Sequence, residues 1–251
     1  MGRLVRTEVF KLRTTRMYLW LVLAASGVTV LVTSVRIARA SSLELAALAH
    51  PGVVAGIISN MSVLAVFGLI LGALAVTGEL RFGTLTPAFL TTPRRGRVMA
   101  AKLVTYTLAA LVVAVVAIGL AAVVAGVWLS VRGVSVNVDT AAVLAILRLV
   151  IVVALSATFG VGIGALVRNQ IAAVVGALVW MLVVENLLRG LAPSWGRWLP
   201  FNGSGFFIQG HAAAALGSSG LNWWAGGIMF AAYLIAAVAT GTVVFKRMDV
   251  A

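Results

Sequence analysis

Few residues in this sequence have a type and spacing that could do chemistry. His50 and His211 are its two histidines, there is no cysteine, and no carboxylate cluster at ligand spacing stands beside either histidine. A metal site is therefore not expected. The motifs of zinc proteases (H-E-x-x-H), serine hydrolases (G-x-S-x-G) and nucleotide-binding loops (G-x-x-x-x-G-K-[ST]) do not occur either. The sequence predicts no catalytic residue and no cofactor bound by this chain.

Arg148 and Glu185 are the ionisable residues that interrupt long apolar runs. They stand about 12 Å and about 9 Å inside the ends of the fourth and fifth runs, if both runs are helical. A charge within hydrocarbon costs about 2.5 kcal/mol or more, and pairing reduces that cost. We predict that the two side chains face each other or a shared translocation path. Alternatively, Glu185 pairs with Arg189 one turn later and Arg148 extends to the headgroups.

The composition indicates that most of this chain lies in lipid. Apolar residues make up 62% of it and charged residues 10%, against about 45–50% and about 25% in soluble domains. A helix of about 20 residues crosses a hydrocarbon core of about 30 Å, so 251 residues have room for six spans and for no second domain. We assign the net charge of +13 to contacts with lipid headgroups and not to nucleic acid.

The apolar runs predict an all-α membrane protein, a single domain over residues 1–251 with six transmembrane helices. The runs cover residues 17–35, 53–78, 103–129, 141–167, 171–188 and 224–245. Residues 1–16 predict a basic helix on the inner membrane surface, with a plain basic flank as the alternative. The aromatic segment 189–222 predicts short helices on the outer side, because aromatic side chains favour the headgroup region.

The basic residues predict the orientation. With the N-terminus inside, thirteen of them lie on the inner side and five on the outer side. Cytoplasmic loops carry the excess of Lys and Arg, so both termini are predicted to be cytoplasmic and the protein to lie in the cytoplasmic (inner) membrane. Two G-x-x-x-G patterns, at Gly68 and Gly72 and at Gly160 and Gly164, predict close helix packing, within the chain or between subunits.

The predicted inner loop between the second and third spans, residues 79–102, carries the most specific pattern. It reads Glu79-Leu80-Arg81-Phe82-Gly83-Thr84-Leu85, then Thr92-Pro93-Arg94-Arg95-Gly96-Arg97, and is followed by Ala101-Lys102-Leu103. The chain here resembles the membrane subunit of an ABC-2-type transporter, whose permeases often show E-x-x-x-G-T-L, T-P-x-x-R and A-K-L segments in this order. The basic segment Glu8-Val9-Phe10-Lys11-Leu12-Arg13 is similar to that family as well.

The resemblance implies a coupling helix in this loop that docks on a separate ABC ATPase, which would hold the ATP and Mg. The residues implied in coupling are Glu79, Arg81, Gly83, Thr84, Leu85, Pro93, Arg94, Arg95 and Arg97. An ordinary solvated basic loop is the alternative. The resemblance also implies a second permease, identical or similar, and export of an amphiphile such as a drug, a lipid-linked compound or a peptide. The competing hypothesis is a non-transporting membrane anchor or sensor that recruits the same ATPase.

Overall fold

The computed structural model describes residues 1–50, 53–84, 95–210 and 222–247. Over these ranges the secondary structure is helical, with no strand. The helices are α1 Gly2–Thr14, α2 Arg16–Arg39, α3 Ser42–Ala47, α4 Val53–Ser59, α5 Leu64–Arg81, α6 Arg95–Val131, α7 Thr140–Val167, α8 Gln170–Val179, α9 Glu185–Leu191, α10 Pro193–Gly196, α11 Pro200–Gln209 and α12 Trp223–Lys246. A 3₁₀ turn, Asn60–Val63, joins α4 to α5, and a π turn, Trp180–Val184, joins α8 to α9.

In the part of the chain that the structure describes, six helical segments are long and apolar enough to cross a membrane. They are Arg16–Arg39, Met61–Arg81, Arg95–Val131, Thr140–Val167, Gln170–Leu191 and Trp223–Lys246. The outer surface of α6 exposes a row of large apolar side chains, among them Leu108, Val112 and Val115. A soluble monomer rarely exposes a continuous apolar face. Over the described residues, the prediction of an all-α chain with six helices able to span a membrane is thus confirmed.

Helix α7 lies at the centre of the bundle, where it contacts α4, α5, α6, α8, α11 and α12. The two predicted G-x-x-x-G patterns meet each other here: Gly68 and Gly72 of α5 pack on the stretch of α7 that contains Gly160 and Gly164. A Cβ atom on Gly164 would lie only 2.6 Å from the carbonyl oxygen of Ala73. These glycines therefore bring two helix backbones of one chain into direct contact.

Helices α5 and α6 extend into the segment that the sequence assigned to a loop. Residues 79–81 belong to α5, and α6 begins at Arg95, so residues 95–102 are helical as well. With 37 residues, α6 is about 55 Å long and exceeds a hydrocarbon core of about 30 Å. The apolar run ends where the charges begin, but charged residues continue a helix readily.

The second predicted span is interrupted. Instead of one helix over 53–78, α4 ends at Ser59 and the chain turns through Asn60–Val63, where Met61 has φ −84° and ψ 15°. The short helix α11 contacts both α4 and this turn and also packs on α7 and α12. Non-helical backbone is tolerated at membrane depth where protein covers it. Helix α11 buries Asn202, Ser204 and Ile208 against its neighbours.

Three contacts bring α1, the end of α12 and the helix hairpin between α7 and α8 to one end of the bundle, which we call the loop end. The Nζ atom of Lys11 in α1 lies 2.7 Å from a carboxylate oxygen of Glu79 at the end of α5. The Arg95 guanidinium donates to the carbonyl oxygen of Lys246 at 3.2 Å, which ties the start of α6 to the end of α12. Arg81 similarly donates to the Gln170 side chain, at 3.3 Å, at the start of α8.

Candidate functional site

Four charged side chains form a partly buried cluster at the loop end. Glu8 and Lys11 come from α1, Glu79 from the last turn of α5 and Lys102 from the third turn of α6. Lys102 is fully buried and Glu8 is 4% exposed. Two carboxylates and two ammonium groups make the cluster neutral as a whole, which reduces the cost of removing each charge from water. We call this group the charge cluster.

Lys102 is the centre of the charge cluster. Its Nζ atom lies 3.0 Å from a carboxylate oxygen of Glu8 and 2.8 Å from one of Glu79. It also donates a hydrogen bond of 3.0 Å to the carbonyl oxygen of Ala75, within α5. The ring of Tyr106, one helical turn later, has its centroid 6.0 Å from the same nitrogen. Lys102 thus holds α1 and α5 against α6.

Lys11 closes the charge cluster on its exposed side. It donates to Glu8 at 3.0 Å and to Glu79 at 2.7 Å, and 37% of its side chain is exposed. Desolvation lowers the pKa of Lys11, but the hydrogen bonds and negative charges of Glu79 and Glu8 outweigh it, so its pKa is raised. The Glu79 oxygen Oε1 thereby contacts both lysines, while its buried Oε2 has no hydrogen-bond partner among the described residues.

The charge cluster was not predicted as a unit. Glu8 and Lys11 were assigned to a surface helix and Glu79 to a coupling loop, while Lys102 marked the beginning of the third span. The sequence did hold one usable signal: the chain has only six acidic residues, and Glu8 and Glu79 were both assigned to the basic inner side. Side-chain periodicity does not show which helix faces meet, so the four partners could not be matched.

The other described residues implied in coupling lie at the same end of α5 and α6 as the charge cluster. Gly83 has φ +65°, a left-handed conformation that glycine adopts without strain, and it follows the end of α5. Thr84 is exposed, as is Arg97 in the first turn of α6. Arg81 and Arg95 are tied to α8 and α12 as described. Leu85, Pro93 and Arg94 lie outside the described residues, and so does His211.

Arg148 and Glu185 are not brought together. The Arg148 guanidinium carbon lies 4.5 Å from the ring centroid of Trp223 and 5.9 Å from that of Phe207. Glu185 is 1% exposed and has other partners. Among the described residues no ion pair joins the two. The short helix α11 packs between the spans and contributes Phe207 to Arg148 and backbone N–H groups to Glu185, while α12 contributes Trp223. Matching the depths of two residues along their helices could not reveal these partners.

Glu185 caps the N-terminus of α11. The backbone N–H groups of Phe201 and Asn202 donate to its carboxylate at 3.2 and 2.9 Å, and the Trp180 indole N–H donates at 3.1 Å. The first turn of a helix has free N–H groups and a partial positive charge, so a carboxylate there is stabilising. The alternative pairing with Arg189 is indirect, because the Arg189 Nε donates to the Asn202 side chain at 2.8 Å.

The charge cluster and Glu185 are suited to binding and to linking helices mechanically. Within the described ranges no three His, Cys, Asp or Glu side chains group together in a way that could hold a metal ion. The charge cluster joins three helices through buried ion pairs. Glu185 fixes a short helix to a span through backbone hydrogen bonds.

Comparison with known proteins places the chain in a family. No curated protein matches the sequence. Residues 20–251, nearly the entire chain, match a family described as a protein of unknown function, DUF2705. The match covers all six segments that can cross a membrane apart from the first residues of α2. The chain therefore belongs to the DUF2705 family of proteins of unknown function.

Proposed function

We propose that this chain is the membrane-spanning permease subunit of an ATP-driven ABC exporter of the ABC-2 type. It moves an amphiphilic substrate, such as a drug, a lipid-linked compound or a peptide, out across the cytoplasmic membrane. A separate soluble ATPase hydrolyses ATP, and two permeases, identical or similar, assemble with two ATPases. Both chain termini and the segment from 82 to 94 face the cytoplasm.

The charge cluster is the observation that supports this proposal. Four segments carry the resemblance to ABC-2 permeases, and three of them contain or adjoin Glu8, Glu79 and Lys102. Their charged residues meet within ion-pair distance at the loop end. Three segments that resemble one family and also form one physical unit are better support than three separate sequence matches.

The geometry of the charge cluster suits the transmission of force. In the chain Glu79 precedes the segment 82–94 and Lys102 follows it, and their ion pair of 2.8 Å links α5 to α6. Glu8 adds α1 to the same unit through Lys102. A push by a docked ATPase on the segment 82–94 would therefore move α1, α5 and α6 together and not bend the segment alone.

The proposal is tested by reconstitution with a soluble ABC ATPase, which we expect to be encoded beside this chain. Purified together in proteoliposomes, the two should hydrolyse ATP faster in the presence of an exported amphiphile and should move it in one direction. Failure of the ATPase to co-purify with the wild-type chain would overturn the proposal. Co-purification with hydrolysis but without any ATP-dependent flux would favour the anchor or sensor.

A matched pair of variants tests the docking surface. Arg97 is exposed in the first turn of α6, and Arg13 is exposed near the end of α1. Reversing a charge that contacts a partner costs enough to weaken binding about ten-fold or more. Arg97→Glu should therefore reduce the ATPase that co-purifies by about that factor, and Arg13→Glu should not. Equal loss in both variants would indicate non-specific attraction to the basic loop end.

A further inference from the structure

Arg148 occupies an aromatic site at one end of a groove between α7 and α12. Its guanidinium stacks on the Trp223 ring at 4.5 Å and lies 5.9 Å from the Phe207 ring. Gly210 ends α11 with φ +60°, and a Cβ atom there would overlap the Arg148 guanidinium. Helices α7, α11 and α12 thus leave room for the Arg148 guanidinium.

No acidic side chain in the described residues neutralises Arg148. The five described acids have other partners: Glu8 and Glu79 in the charge cluster, Glu44 in the capping box of α3, Asp139 at the N-cap of α7, and Glu185 at the start of α11. Residues 211–221, which follow Gly210 in the chain, contain no Asp or Glu. An arginine without a carboxylate at the edge of hydrocarbon is well placed to attract an anion from outside the chain.

An apolar cleft begins beside the guanidinium. It has a volume of about 300 Å³ and is lined by Val152 and Leu155 of α7, by Phe207, and by Trp223, Gly227 and Ala231 of α12. Arg148, Val152 and Leu155 share one face of α7, at positions i, i+4 and i+7. The cleft therefore runs along the two helices for about 10 Å, away from the charge. Trp224 and Ile228, which also line it, are exposed, so it opens sideways into lipid.

The position of Arg148 along α7 matches the level of lipid phosphates. From Val167, which precedes the tight hairpin at Arg168 and Asn169, to Arg148 the helix rises about 29 Å, the thickness of the hydrocarbon core. Trp223 begins α12 at the same level, where tryptophan is favoured. With Val167 taken as the inner edge of the hydrocarbon, the guanidinium reaches the outer headgroup level, in place of the depth of about 12 Å expected from the apolar run, and the cleft lies below it in the hydrocarbon.

We infer that Arg148 and the cleft bind one anionic phospholipid of the outer leaflet. The phosphate contacts the guanidinium, and one acyl chain fills the cleft between α7 and α12. A zwitterionic lipid fits the cleft and has the same phosphate, but its own cationic group offsets the attraction of that phosphate for the guanidinium, so the site favours the anionic headgroup. This inference does not depend on the proposed transport function, because it concerns a lipid of the surrounding bilayer and not the exported molecule.

The test is native mass spectrometry of the full chain in mild detergent, with phosphatidylglycerol and phosphatidylcholine of identical acyl chains. The wild type should retain one phosphatidylglycerol in preference to phosphatidylcholine. Arg148→Gln should reduce that preference about ten-fold, because without the guanidinium charge the site no longer distinguishes a net negative headgroup from a neutral one. The control Arg39→Gln removes the same charge from an exposed position at the end of α2 and should keep the preference.

A second pair of variants tests the cleft without removing the charge. Ala231→Phe fills the cleft and should reduce retention of both lipids, whereas Ala232→Phe, at an exposed neighbouring position outside its lining, should not. Excess inorganic phosphate should not displace the lipid. Unchanged phosphatidylglycerol retention in Arg148→Gln, equal retention in the two phenylalanine variants, or displacement by phosphate would each overturn the inference.

Discussion

Replacement of Lys102 by methionine is the most direct test of the charge cluster. Methionine preserves the length of the buried side chain and removes its charge and its hydrogen bond to Ala75. Glu8 and Glu79 then share only Lys11, which is 37% exposed. Removing one partner from a buried ion pair costs about 3–5 kcal/mol, because the remaining charge stays buried without compensation.

The expected result is a large fall in thermal stability. For a chain of this size each kcal/mol shifts Tm by about 2–4 °C, so Lys102→Met should lower Tm by about 6–20 °C. The measurement is thermal unfolding of the purified protein in detergent, followed by intrinsic tryptophan fluorescence. Lys246→Met is the matched control, because Lys246 is exposed at the same end of the bundle.

A double variant separates the ion pairs from the packing of the side chain. Glu8→Gln combined with Lys102→Met leaves the neutral pair of Lys11 and Glu79, so it should be more stable than Lys102→Met alone. Such a coupling between neighbouring residues is measured by a double-mutant cycle. If Lys102→Met melts within about 2 °C of Lys246→Met, or if Glu8→Gln adds its full cost to that of Lys102→Met, the reasoning about the charge cluster is refuted.

Two further predictions concern Glu185 and the orientation. Glu185→Ala removes the cap of α11 at a cost of about 1–3 kcal/mol. A Cys placed at the buried position Ser204 should then react with maleimide roughly five- to hundred-fold faster than the same Cys in a chain that keeps Glu185. Equal labelling in the two chains would contradict the capping role. For orientation, Thr84→Cys and Ser135→Cys place single cysteines at exposed positions in a chain that has none of its own. In intact cells a membrane-impermeant maleimide should label Ser135→Cys and spare Thr84→Cys, and the reverse pattern would invert the topology.

The six spans followed from the sequence because hydropathy is a local property. A helix of about 20 apolar residues is long enough to cross the bilayer, whichever helices pack beside it. The glycine pairs at Gly68 and Gly72 and at Gly160 and Gly164 likewise indicated close helix packing without knowledge of the partner helix. The sequence did not show that these two glycine faces meet each other, with α7 in the centre of the bundle. Small residues show that a helix can approach another helix closely, whereas which helix becomes its partner depends on the packing of all the helices together.

The helix ends and interruptions were less accessible to sequence analysis. The charges from Arg95 to Lys102 ended the apolar run without ending the helix, because solvated charges are compatible with helical backbone. The 3₁₀ turn at Asn60–Val63 and the π turn at Trp180–Val184 lie within apolar runs and carry no proline. Helix α11 packs beside the 3₁₀ turn, and Glu185 directly follows the π turn.

The partners of the charged residues were decided by the tertiary structure alone. Composition and spacing identified Arg148 and Glu185 as charges that need partners, and the structure assigned aromatic rings to one and the N-terminus of α11 to the other. It likewise joined Glu8 to Lys102, which are 94 residues apart. A sequence determines how much apolar surface and charge each helix carries, since both are properties of single residues and their periodicity. Which charges neutralise one another depends on distances of a few ångströms between helices, and those distances exist only after the helices have packed.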